Sequence, residues 1–356
     1  MRRFRRLLAN EFKLFRTAIP IHVVITVQPT ILYLLMSVIL VHPTFDMHVA
    51  RPATGEGLAL VAAMEEVGSP IGLPYINPIL VDWDGGPVTR QVVVVEEQRD
   101  ADGVHPVAVQ YYGLIDSNLV KNFRNRLTAA VLILWNESLD ARAVTVEQHP
   151  WLPHDVPYTV YFGMALLPLT ASIAASVLGG ALTAQEFEFG TILEYRLAPV
   201  SPAWILGARL TRLVLWSLIA AVMLLVAIGL TTGAWPDSFL GVGLILVPVG
   251  LIAGCLGVLA GLVFRKLIPA FLVGLVASFV GWLLGSAFGL AAGFGGLYEL
   301  VSRFTPGTHA VELLFPRYLG IEIGSPRISV LVLVLLSVGM VALTGLAYRW
   351  RVLRRA

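Results

Sequence analysis

The sequence predicts an α-helical polytopic membrane protein with six transmembrane helices and an α+β extracytoplasmic domain inserted between helices 1 and 2. Three observations predict it. Hydrophobic residues make up 57% of the 356 positions and charged residues only 13%, with a mean hydropathy of +0.79, a balance outside the soluble range. Six apolar stretches are each long enough to cross about 30 Å of hydrocarbon. Between the first and the second, residues 42–159 abandon that pattern and carry most of the acids, punctuated by prolines and glycines.

Composition also narrows the chemistry. Cys255 is the single cysteine and lies inside an apolar segment, which excludes disulfide frameworks, CxxC redox sites and cysteine-based zinc sites. The three lysines, Lys13, Lys121 and Lys266, never follow a glycine. The chain therefore has no GxxxxGK[ST] phosphate loop and is not expected to hydrolyse ATP by itself.

Residues 1–18 open the chain with a basic, amphipathic stretch. Phe4, Leu8, Phe12 and Phe15 fall on one helical face, while Arg2, Arg3, Arg5, Arg6, Lys13 and Arg16 surround the other. This suits a helix lying in the cytoplasmic headgroup layer. A secretory signal fits less well, because the following apolar run is too long and lacks a small-x-small cleavage site. The first span covers 19–41, with Gln28-Pro29 implying a kink and a polar group in need of a partner.

Within 42–159, Ile79-Leu80-Val81, Val107-Ala108-Val109 and Ala143-Val144-Thr145-Val146 read as short buried strands, and Val92 to Val95 as either strand or helix. Ser117 can cap a helix from Asn118 to about Trp135, whose apolar face holds Leu119, Phe123, Leu127, Val131 and Leu134. Asp82-Trp83-Asp84-Gly85-Gly86 offers too few ligands for calcium and reads as a turn after a strand. His105, His149 and His154 lack metal-ligand spacing.

The second span covers 160–183, the third 210–231, the fourth 239–264, the fifth 267–294 and the sixth 328–348. With both termini inside, basic residues cluster at 2–16, 196–212, 265–266 and 349–355, and the outside turn at 233–237 has none, as the positive-inside rule requires. The 42–159 domain is then external. Gly281, Gly285, Gly289 and Gly293 recur every fourth residue in the fifth span, and Gly250/Gly254 and Gly257/Gly261 do so in the fourth. Such stripes admit a neighbouring backbone, either within the chain or at a dimer seam. Residues 295–326 read as two extracytoplasmic re-entrant half-helices broken at Thr305-Pro306-Gly307. Their charges Glu299, Arg303, Glu312 and Arg317 can pair at the exit of a pathway or stay solvated.

The cytoplasmic stretch at 184–209 organises the whole. Thr191 and Glu194 stand in capping-box spacing, Pro199 should stop the resulting helix near Leu197 or Ala198, and Ser201-Pro202 reads as the N-cap and first residue of the next helix. A short helix is thus hung between two spans.

The run Glu186-x-Glu188-x-Gly190-Thr191-Ile192-Leu193-Glu194, followed by Pro199-Val200-Ser201, resembles the coupling loop of ABC-2 type transporter permeases, with Phe187 and Phe189 where basic residues are commoner. Val81 to Arg90 resembles a stretch in the external domain of the family's drug-type branch. The run from Thr305-Pro306 through His309 and Glu312 to Arg317 resembles its last external loop. The resemblance implies a permease half in the bacterial inner membrane, multi-pass with both termini cytoplasmic, exporting an amphipathic or lipid-like compound. It implies two cytosolic ATP-binding subunits holding ATP and Mg, a second permease identical or homologous to this one, no cofactor on this chain and no nucleic-acid partner. Glu186, Glu188 and Glu194 would orient the contact with the ATPase, while Ile192, Leu193 and Tyr195 fill its groove. A membrane-anchored sensor or scaffold, binding a ligand through 42–159, is the alternative. A membrane enzyme is disfavoured because no span places His, Asp or Glu pairs within the bilayer.

Overall fold

In a computed structural model of the chain, residues 2–13, 19–40, 44–52, 55–68, 74–86, 91–100, 103–112, 117–137, 158–197, 200–285, 296–320, 322 and 325–353 are described. The chain divides into two compact units, one formed by Met1–Ile39 with Val156–Ala356, the other by Leu40–Asp155.

The first unit is entirely helical among the described residues. It contains α1 (Arg2–Lys13), α2 (Ile19–Leu40), α5 (Tyr158–Glu188), α6 (Ile192–Leu197), α7 (Pro202–Thr232), α8 (Phe239–Phe264), α9 (Leu267–Leu283), α10 (Gly296–Ser302), α11 (Pro306–Leu319) and α12 (Pro326–Leu353). Five of these, α2, α5, α7, α8 and α12, are long and apolar enough to cross a membrane. The protein is therefore a helical one suited to a bilayer. Its pillar is α5, whose span is 94% buried, whereas that of α12 is only 17% buried. Helices α7, α8 and α9 wrap α5, and α12 packs outside α8.

Small residues set how closely α8 and α9 approach that pillar. A Cβ on Gly257 would collide with the Ser176 carbonyl, and one on Gly274 would stand 3.0 Å from the same oxygen. The Ser176 hydroxyl bonds the Gly274 carbonyl at 3.0 Å and lies 2.8 Å from Ser278 Oγ. The stripe in α8 is thus spent on packing within the chain: Gly250 faces Ser217, Gly254 faces Leu213, and Gly261 faces Thr183.

Helix ends follow local chemistry. Ser201 is extended and Pro202 opens α7; the Ser238 hydroxyl accepts the Gly241 N–H at 3.0 Å to start α8. Arg265 ends α8 in the left-handed region at φ 55°, which is unfavourable for a residue with a Cβ. Its guanidinium lies 5.2 Å from the centre of the Phe187 ring.

Several expected boundaries move. Gln185 to Glu188 belong to the last turn of α5 rather than to a loop, while α7 begins at Pro202 behind Ser201 as expected, eight residues ahead of the apolar span placed at 210–231. The fifth span stops early: α9 ends at Leu283 after 17 residues, and a turn follows at Leu284 and Gly285. Residues 286–295, with Gly289 and Gly293, lie outside the described residues, as do Pro199 and the strand expected at 143–146.

The second unit holds β1 (Phe45–Ala50), α3 (Gly55–Glu66), β2 (Ile76–Val81), β3 (Gln91–Asp100), β4 (Gly103–Tyr112) and α4 (Ser117–Glu137). The sheet order is β2-β1-β3-β4, with β1 parallel to β2 and β3 and with β3 antiparallel to β4. Val92 to Val95 are strand. Met47, Val49 and Val93 from the sheet meet Leu60 and Met64 of α3 and Phe123, Leu127 and Ala130 of α4. Along α4 the buried stripe passes from Leu127 to Ala130 and leaves Val131 exposed. A strict four-residue step outruns the helix's 3.6-residue turn. After β2, the Trp83 indole donates to the Gly86 carbonyl at 3.0 Å and the Gly86 N–H to Asp84 at 3.1 Å, closing the expected turn.

A buried charge cluster beneath the short helix

The turn from α5 to α7 closes through the backbone. Leu193 donates to Gly190 at 3.1 Å and Glu194 to Thr191 at 3.0 Å. The Thr191 hydroxyl reaches back to the Glu186 carbonyl at 3.5 Å, so this bond and the backbone bonds hold the turn where a capping box was expected. Gly190 supplies the left-handed residue, φ 72°, that lets the chain reverse. Helix α6 ends at Leu197.

This geometry sorts the expected contact residues into two sets. Phe189, Leu193, Glu194 and Leu197 are exposed, Leu197 at 86%. Ile192 and Glu186 are buried, with the Glu186 carboxylate turned inward against Arg209. Glu188 is exposed but accepts the backbone N–H of Leu267 at 3.3 Å. There a negative charge meets the N-terminus of α9, where the helix dipole favours it.

Beneath α6 lies a group of charges gathered from three helices and closed over by two tyrosines. Arg209 and Arg212 of α7 are 1% and 0% exposed. Arg209 forms an ion pair with Glu186 of α5, lies 3.7 Å from Glu11 of α1, and donates to the Thr183 hydroxyl at 3.1 Å. Arg212 donates to Glu11 at 3.1 Å and to His22 Nε2 of α2 at 3.0 Å. Because arginine can only donate, that imidazole nitrogen is the acceptor. The His22 ring lies 5.1 Å from Trp216. Tyr195 of α6 and Tyr348 of α12 each stand 5.9 Å from the Arg209 guanidinium. Burial and the nearby Glu186 carboxylate push the Tyr195 phenol above its ordinary range, so it stays protonated.

Two arginines and two glutamates cancel, which makes the burial tolerable. The cancellation is incomplete in hydrogen bonds, since Glu186 Oε2, Arg209 Nε, Arg212 Nε and Tyr348 Oη have no hydrogen-bond partner in the structure. Sequence reasoning missed this cluster. Arg209 and Arg212 counted there as loop cations, and Glu11, the lone acid of a basic helix, passed without notice. The available signal was their setting: Arg209 and Arg212 stand three apart among Ile205, Leu206, Ala208, Leu210 and Leu213, which puts both on a helix face that apolar neighbours bury.

At the opposite end of α7 the expected exit-side charges separate into three places. Glu299 and Arg303 pair across one turn at 2.6 Å. Arg317 reaches Asp237, in the turn between α7 and α8, at 3.1 Å. Glu312 accepts from the Ser329 hydroxyl and lies 3.7 Å from His309. The His309 ring also bonds the Arg303 carbonyl at 2.8 Å and Ser329 Oγ at 3.1 Å. A carbonyl accepts only, and the Ser329 proton is committed to Glu312, so both ring nitrogens donate and the imidazole is charged. Burial opposes that charge, but Glu312 and the Arg303 carbonyl outweigh it and hold His309 above its ordinary pKa. Burial likewise works against the Glu312 carboxylate, yet the bonds from His309 and Ser329 hold its pKa below the usual value. Of the glycines proposed for a seam, Gly281 faces open space and Gly285 meets Gly307 of α11, whose Cα lies 3.0 Å from its ideal Cβ.

The fold and this cluster define a class, a helical membrane protein with a charged joint buried at one end of its bundle. Neither models of known families nor curated protein sequences give a match to this chain.

Proposed function

We propose that this chain is the membrane-spanning permease subunit of an ABC-2 type, ATP-driven exporter of an amphipathic or lipid-like compound. It would have six spans, both termini in the cytoplasm of a bacterial inner membrane, and the Leu40–Asp155 unit outside. The observation that carries the reading is a short helix with an exposed greasy and acidic face set directly on a buried charge cluster. Phe189, Leu193, Glu194 and Leu197 face outward, while Tyr195 sits on the Arg209 guanidinium behind them. A buried ion pair contributes little net stability compared with apolar packing, so four buried charges at this joint suit a transmitting role. A push on α6 from an ATP-binding subunit reaches α7 through Arg209, α5 through Glu186, and α1 through Glu11.

The test is Glu194→Lys in the full chain coexpressed with its ATP-binding subunit. Membrane insertion stays normal and permease-stimulated ATP hydrolysis is lost. Undiminished stimulation overturns the assignment. In the sensor or scaffold reading, supported by the separate core of the Leu40–Asp155 unit, no ATP-binding subunit copurifies with the chain.

A further inference from the structure

A groove of about 590 Å³ opens between α8, α11 and α12, within the range of about 300–1,000 Å³ that small-molecule sites occupy. Its walls are aliphatic: Leu244, Pro248 and Leu251 on one side, Val330, Val334 and Val338 on the other. Leu244, Val334 and Val338 are at least half exposed, so the groove is open sideways along its length. Eight residues of α12 separate Val330 from Val338, about 12 Å at 1.5 Å per residue. Two features break the apolar lining. Arg317 and Glu322 line the groove with opposite charges, and Ser337, only 8% exposed, lines it with a hydroxyl that has no hydrogen-bond partner in the structure.

We infer that this groove holds one chain of a zwitterionic phospholipid from the bilayer, its phosphate at Arg317 and its ammonium at Glu322. Arg317 gives Asp237 one N–H, at 3.1 Å, and a guanidinium has five to offer, in a fork that suits phosphate. Glu322 supplies the acceptor that an ammonium needs and that a purely anionic head would be repelled by. The apolar chain and the paired head charges are the parts of such a lipid that the groove matches. The site does not depend on the exporter reading, because a resident lipid is held whether or not anything is transported.

The experiment reconstitutes the full chain in vesicles of phosphatidylethanolamine or phosphatidylglycerol containing a trace of the same lipid with a photoreactive acyl chain. Cross-linked peptides are then mapped. Phosphatidylethanolamine should label α8 between Leu244 and Leu251 and α12 between Val330 and Val338, several-fold above the anionic lipid. Val334→Trp fills the groove and should cut that labelling at least fivefold, whereas Leu331→Trp, outside it on the same helix, should leave it unchanged. Arg317→Gln, which removes the charge proposed to hold the phosphate, should lower the yield if Val334→Trp does not fold. Equal labelling by both lipids, or labelling spread evenly to Leu331 and Leu230, overturns the proposal.

Discussion

Arg209 touches Glu186, Glu11, Thr183 and two tyrosines from one buried position. Replacing it with methionine roughly keeps the volume and strands Glu186 in a site from which water is largely excluded, while Glu11 keeps Arg212. The expected loss is about 3–5 kcal/mol, read as a large drop in the melting temperature of the detergent-solubilised protein. Adding Glu186→Gln should recover part of it, since the two effects share one interaction. The His309–Glu312 pair predicts a pH dependence of defined sign. A raised histidine pKa stabilises fully below about 6.5 and that contribution fades as pH rises through the elevated value. A lowered glutamate pKa stabilises above about 4.5 and fades as pH falls through the depressed value. The pair therefore helps most between those limits. The difference in melting temperature between the natural protein and His309→Gln should peak near pH 5–6.5 and shrink on both sides. A flat difference across pH 4–9 would contradict the charged imidazole.

Among the elements, the packing of α8 on α5 is the most sensitive to a single atom. Gly257→Leu drives a side chain into the Ser176 backbone, which cannot swing aside, and should cost about 1–3 kcal/mol or more. Gly281→Ala enters open space and should change stability by less than about 1 kcal/mol, in the favourable direction. Thermal unfolding of the two variants in one detergent checks both. The glycine periodicity of α8 was readable from sequence, because a four-residue step declares a helix face. Its partner at Ser176 was not, since nothing in a linear pattern says which helix will lie opposite. The same limit explains the site. The end of α6 at Leu197 was readable from the proline two positions further along the sequence. The inward turn of Glu186 depends on Arg209, 23 positions away, and the role of Glu11 on Arg212, 201 positions away. The end of α5 was misplaced at Gln185 to Glu188, where polar residues remain helical, because hydropathy reports the solvent a residue suits and not the backbone it adopts.

On the scale of the whole molecule, the two ends of α7 are chemically unlike: arginines buried against acids at its start, and the Asp237–Arg317 pair just past its finish. From Arg209 to the end of α7 at Thr232 the helix rises about 35 Å, slightly more than the roughly 30 Å hydrocarbon thickness of a bilayer. With Cys255 replaced by alanine, Leu193→Cys should react with an impermeant maleimide only from the cytoplasmic side and Trp235→Cys only from the other. Reaction of both from one side would remove the topology on which the exporter reading stands.

Helix α5 also runs 31 residues without interruption, from Tyr158 to Glu188, with Pro168 inside it. It therefore behaves as a rod with one soft joint, set about a third of the way from its far tip. In the exporter reading, a displacement at the Glu186 end would be delivered across the membrane by rigid-body tilt up to that joint. Past Pro168 the missing N–H lets the remaining three turns follow a different axis. Motion entering as a push can in this way leave as a swing.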